Sequence, residues 1–136
     1  MGDITRTKAQ VSPVHPRQAE IYDAIAAVSI EAGQAVYINS NGKVDLSDAD
    51  ASATTEVFRG IALKSVAAGQ STSVLVRGTV TGYDLSGVAY GAAVYVSNTT
   101  GELSTSAGST SLIAGYCLPL TDPVMTKCLF VVGYAG

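Results

Sequence analysis

A chain of 136 residues amounts to one domain, large enough to remove roughly two-thirds of its unfolded surface from water. Hydrophobic residues make up 47% of it, charged residues only 14%, and the net charge is −3; this argues against binding nucleic acid, which needs clustered Lys and Arg. No run approaches the about 20 consecutive apolar residues of a membrane-spanning helix. The opening MGDITRTKAQ lacks the apolar core of a secretory signal, so synthesis in a reducing cytosol is expected.

Residues 1–18 read as an extended arm. The run Val11-Ser-Pro-Val-His-Pro16 cannot propagate a helix, because each proline lacks an amide hydrogen and pushes the residue before it toward extended geometry. Arg6, Lys8 and Arg17 make the arm basic on an acidic protein. Its removal is expected to cost little core.

The body, residues 19–136, reads as a series of short strands. The β-forming Ile21, Tyr22, Ile25, Val28 and Ile30 favour a strand within 19–30. Residues 34–39 alternate, with Val36 and Ile38 on one face and Tyr37 on the other; Asn39-Ser-Asn-Gly42 supplies the turn, and 43–46 returns as the partner. Residues 47–57 form a polar loop with room for one helical turn capped by Ser47 or Asp48. Strands are expected at 60–65 and 72–80, joined through Val66-Ala-Ala-Gly69, with Gly78 and Gly82 as bend or bulge sites on the way to Tyr83. After a turn at Asp84-Leu-Ser-Gly87 come strands at 92–97, 102–104, 112–118 and 127–134. Many short strands punctuated by Gly-rich turns indicate an all-β sandwich or barrel.

The series repeats. GQAVYINSNGKV (33–44) is echoed by GAAVYVSNTTGEL (91–103), RGIAL (59–63) by AGYCL (114–118), and STSVLVRG (71–78) by TKCLFVVG (126–133). Two copies are too few for a solenoid, which stacks three or more units. The economical reading is one β domain built by pairing two four-strand units, about 33–78 and 91–133.

Residues that could carry chemistry are sparse. The single histidine, His15, lies between prolines, where no packed second shell positions an imidazole for catalysis. Asp45, Asp48 and Asp50 have neither the spacing nor the central Gly and closing Glu of a calcium loop. Cys117 and Cys128 would come near each other across a hairpin, but they lack zinc-ligand spacing, and a cytosolic protein keeps them as free, buried thiols. No catalytic residue, cofactor or metal is expected. Tyr37 and Tyr95 occupy equivalent repeat positions opposite the Val/Ile face, which suits either an oligomer interface or packing between sheets.

Taken in order, Ala32-Gly-Gln-Ala-Val-Tyr-Ile, Asn41-Gly-Lys-Val, Asp48-Ala-Asp, Gly60-Ile-Ala-Leu, Gly69-Gln, Arg77-Gly-Thr-Val, Gly91-Ala-Ala-Val-Tyr-Val, Thr99-Thr-Gly-Glu-Leu and Gly115-Tyr-Cys-Leu resemble the bacteriophage head decoration, or capsid cement, proteins. The resemblance spans about residues 32–133. It implies a non-enzymatic virion protein that binds the outer surface of a mature phage shell and clamps neighbouring copies of the major capsid protein, commonly as a homotrimer with an arm that orders on the shell. On this reading the candidate capsid contacts are Arg6, Lys8, Val11, Pro13, Val14, His15, Pro16 and Arg17, and the candidate oligomer contacts are Tyr37 and Tyr95. Neither nucleic acid nor membrane is an expected partner. Two other readings compete. One is a tail- or fibre-associated β module of a virion. The other is a biotinyl- or lipoyl-type carrier, for which Lys43 stands in a plain Asn-Gly-Lys-Val hairpin without flanking Met or Asp.

Overall fold

The computed structural model describes residues 3–7, 11–14, 17, 19–49, 58–109, 111–119 and 127–133. They form ten strands: β1 (Ser12–Pro13), β2 (Glu20–Ile25), β3 (Ala35–Ile38), β4 (Val44–Leu46), β5 (Gly60–Ala62), β6 (Ser71–Thr81), β7 (Ala93–Val96), β8 (Leu103–Ser104), β9 (Ile113–Pro119) and β10 (Lys127–Val132). The protein is all-β, a single curled sheet with antiparallel ladders throughout. The strands expected in the body are all present. The helical turn expected within 47–57 falls largely on 50–57, outside the described residues.

The two units match pair for pair. In the first, Ala35 pairs with Ile61, Ile61 with Leu75, Tyr37 with Asp45 and Ile38 with Val44. In the second, the counterparts pair alike: Ala93 with Tyr116, Tyr116 with Phe130, Tyr95 with Ser104 and Val96 with Leu103. The hydrogen-bonded path β4-β3-β5-β6 continues as β10-β9-β7-β8, the same order reversed. Arg77 pairs with Val132, its own counterpart in the repeat, so a pseudo-two-fold axis passes between them. The hairpin turns explain why the repeat survives in Gly. Gly42 and Gly101 close equivalent turns at φ 77° and 79°, a left-handed conformation costly for a side chain bearing Cβ.

Each unit is brought round on itself by a segment from the N-terminal end. In the first unit β2 runs along β6, from Ile21 opposite Leu75 to Ile25 opposite Ser71, and Ala26 then bridges Val44 of β4. In the second, residues 3–7 do the same work. Arg6 bridges Tyr83 beyond the end of β6, Asp3 bridges Ser104 of β8, and the Ile4 amide donates to the Leu103 carbonyl at 2.8 Å. Val11 lies over Gly82, where a Cβ would stand 2.8–2.9 Å from it. Only glycine leaves that space, and its φ of 107° is in the region glycine favours.

The inward residues of the first unit, Val36, Val44, Ala62, Val74 and Val76, form one core with Ala26 and Ile30. Their counterparts Val94, Leu103, Cys117, Leu129 and Val131 belong to a second, larger core. That larger core also takes up Ala35, Ile61 and Leu75 from the opposite side of the first unit, together with Ile4 and Val11. β3 and β5 are therefore buried on both faces, which is why they read as nearly unbroken apolar runs.

The arm needs correction. Ile4 and Val11 are core residues at 4% and 9% exposure, and β1 pairs with β6 through Ser12–Thr81 and Pro13–Val80. The arm's described stretches, residues 3–7 and 11–14, run beside strands, and an extended chain beside unpaired strand edges gains hydrogen bonds by joining them. It is part of the β domain rather than an appendage.

Candidate interaction surface

The repeat sets up an internal control. The outward positions of the first unit are Ala35, Tyr37, Ile61 and Leu75, with exposures of 0, 9, 0 and 0%. Their counterparts in the second unit are Ala93, Tyr95, Tyr116 and Phe130, none of them buried. Direct cross-strand pairing puts these on one face, in the order Ala93–Tyr116–Phe130, with Tyr95 opposite Ile113. Ile113 and Tyr116 are 40% and 37% exposed. At the rim the exposed Arg77 guanidinium lies 5.8 Å from the centre of the Phe130 ring, close enough for a cation–π contact. The result is an aromatic and aliphatic surface across β7, β9 and β10 with a cation at its border. Such a contiguous apolar face is a recognised mark of an interaction site.

A second exposed apolar group runs along β2 and its continuation: Ile21, Ile25 and Val28, at 41, 42 and 37%. Asp23 stands between the first two and accepts a 2.7 Å hydrogen bond from Ser73. At one end of the second unit, Lys127 donates to the carbonyls of Leu85 and Val88 and lies 5.0 Å from the centre of the Tyr90 ring. That amine is occupied in fastening the turn after Asp84. The turn itself is an Asx-type bend, in which Asp84 accepts from the Ser86 amide and hydroxyl, and those bonds hold its carboxyl below the usual range.

The structure disperses the residues singled out in the sequence. Of the arm, Arg6 is turned inward. Its Nη1 donates to both carboxylate oxygens of Glu102 at 2.6 and 2.7 Å, Nη2 to Glu31 at 3.0 Å and Nε to the Ala32 carbonyl at 3.1 Å. Arg6 and Val11 are therefore consumed within the fold and are not free for a capsid. Pro13 and Val14 are half-buried beside β6, where the Val14 amide donates to Thr79. Arg17 is exposed. Lys8, His15 and Pro16 lie outside the described residues. Tyr37 is buried, so of the two tyrosines only Tyr95 reaches the open face. Burial, reinforced by Asp45 and Asp48, raises the Tyr37 hydroxyl above its ordinary pKa.

The two cysteines are free and buried. Cys117 pairs with Leu129 and Cys128 with Leu118, so the thiols sit one register step apart on opposite faces of the hairpin. Burial raises both pKa values. Among the described residues no three His, Cys, Asp or Glu side chains gather as metal ligands. Of the acidic trio, Asp45 and Asp48 are described and Asp50 is not; Asp48 accepts from Thr100 of the second unit at 3.3 Å, a bond between the units. No described helix is long and apolar enough to cross a membrane.

Arg77, Ile113, Tyr116 and Phe130 were not singled out in the sequence. The signal was there in the repeat: where the first copy carries Ile61 and Leu75, the second carries Tyr and Phe. Comparison with protein families, curated proteins and solved structures returns no match.

Proposed function

We propose that this protein acts by surface contact, as a decoration protein that binds the outer face of a mature phage shell and cements neighbouring capsid subunits, working as a homo-oligomer, most simply a trimer. The observation that carries the reading is the open face of β7, β9 and β10, whose repeat counterparts in the first unit are buried. Its aromatic residues combine a large apolar area with a polar handle in Tyr95 and Tyr116, a composition suited to a desolvated contact. The partner class comes from the resemblance of residues 32–133 to capsid cement proteins. An oligomer presenting several such faces makes later contacts intramolecular, so modest individual interfaces add up to strong retention on the shell without any chemistry.

The test is co-sedimentation with expanded and unexpanded empty shells assembled from the major capsid protein of the phage from which this chain is taken on the proposed reading. Binding to expanded shells is expected, and the Ile113→Ser/Tyr116→Ser double variant should keep its fold yet bind at least about tenfold more weakly, the loss of two central apolar contacts. Failure of the parent protein to sediment with either shell form refutes the reading.

A further inference from the structure

The N-terminal segment occupies a groove whose walls come from far along the chain. One wall is β8, where the Leu103 carbonyl accepts from Ile4 and Ser104 bridges Asp3. The other is residues 82–84: the Gly82 carbonyl accepts from Thr7, and the Asp84 amide donates to the Thr5 carbonyl, each at 2.8 Å. Two side chains read the groove. Ile4 drops into the larger core at 4% exposure, and Arg6, two positions on, meets Glu102 and Glu31. Beside it the Tyr83 hydroxyl donates to the Gly33 carbonyl at 2.6 Å and fixes that wall against the first unit.

We propose that this groove is a strand-acceptor site for an extended segment carrying an aliphatic residue and an arginine two positions apart, and that in trans its occupant is residues 3–7 of a second copy of this chain. The main-chain bonds supply general affinity for an added strand, and the apolar notch with its carboxylate pair supplies the selectivity. The Arg6 guanidinium spreads its three nitrogens over Glu102, Glu31 and the Ala32 carbonyl, a fan of donors that a single lysine amine does not reproduce. A segment from a second copy makes in trans every contact that it makes in cis. Exchange then costs association entropy and little else, the general reason that identical elements swap between protomers. The proposal does not depend on the open face of the second unit or on a capsid partner.

Thr5 and Asp84 are exposed and face each other across the ladder, which permits a direct test on full-length chains. A Thr5→Cys chain is mixed with an Asp84→Cys chain, incubated and mildly oxidised; the native thiols are buried. The same Thr5→Cys chain mixed with Ala68→Cys, exposed in the turn that leads into β6, is the control. The proposal expects a Thr5–Asp84 heterodimer at least about tenfold above control, reduced by excess peptide of residues 1–9 and not by that peptide bearing Arg6→Ala. The Thr5→Cys/Asp84→Cys double variant should cross-link within one chain. Heterodimer yield equal to the control, indifference to the peptide, or equal competition by both peptides overturns the acceptor site in trans. Absence of the intrachain cross-link overturns the groove itself.

Discussion

The first unit and the second have corresponding strands, corresponding cross-strand pairs and apolar residues at the same inward positions, yet their outward faces have opposite fates. Ile61 and Leu75 are fully buried, whereas Tyr116 and Phe130 remain accessible. Sequence repetition therefore fixed a backbone plan without fixing an environment. One copy of the outward face is absorbed into the larger core, and the other is left as surface. The residues follow that division. At the paired β5/β9 and β6/β10 positions the aliphatic Ile61 and Leu75 serve the covered face, where shape and volume decide, and the aromatic Tyr116 and Phe130 the open face, where a large ring is available to a partner.

The largest effect should come from the segment that closes the second unit. Deleting residues 1–7 removes Ile4 from the core and the Arg6 guanidinium from between Glu102 and Glu31, and a loss of at least about 3 kcal/mol in denaturant unfolding is expected. A loss under about 1 kcal/mol would show that the second unit needs no closing strand, unlike the first.

Next, truncation should separate the two faces. Leu75→Ala and Ile61→Ala should each cost about 2–5 kcal/mol by creating a cavity in a packed interior. At the counterpart positions, Tyr116→Ala and Phe130→Ala in the free protein should cost about 1 kcal/mol or less, since water already reaches those side chains. Equal losses at the paired positions would erase the distinction between covered and open faces.

A smaller effect should appear at high pH, and its sign follows from burial. Tyr83, Cys117 and Cys128 have folded pKa values raised above their ordinary ones, in each case chiefly by burial. Their neutral forms favour the fold, so this contribution is complete below the ordinary thiol value of 9.0 and the ordinary tyrosine value of 10.0, and it drains as pH rises through them toward the folded values. Chemical denaturation across pH 8 to 11 should show a steady decline, less steep in Tyr83→Phe. A flat profile would mean that these groups reach water in the native state.

The smallest effect is one of reactivity. Neither cysteine should react readily with a thiol reagent in the native protein at neutral pH, and both should titrate once it is unfolded without reductant. Finding no titratable thiol after unfolding would point to oxidation, which their opposite facing within one chain does not favour.

Much of the fold was legible before any coordinates. Val36/Ile38 and Val94/Val96 alternate with Tyr37 and Tyr95, and Gly42 and Gly101 mark equivalent turns, because side-chain alternation and left-handed turns are local properties that a strand imposes on its own residues. The repeat also implied that the two copies share one plan, but not which strands pair or in what register. The interaction surface was only partly legible. Tyr95 was found by its position, but Tyr37, identical in pattern, is buried, and the arm whose prolines suggested an appendage is stitched into the sheet through Ile4, Arg6 and Val11.

These outcomes divide along a physical line. The sequence by itself determined strand, turn and repeat, which depend on neighbours a few residues away. What covers a given face, which edge the N-terminal segment joins, and where a guanidinium finds its carboxylates were decided only by tertiary structure. Arg6 meets Glu102, and Tyr83 meets Gly33, across separations of 96 and 50 residues, and alternation tells which way a side chain points but not what stands opposite it.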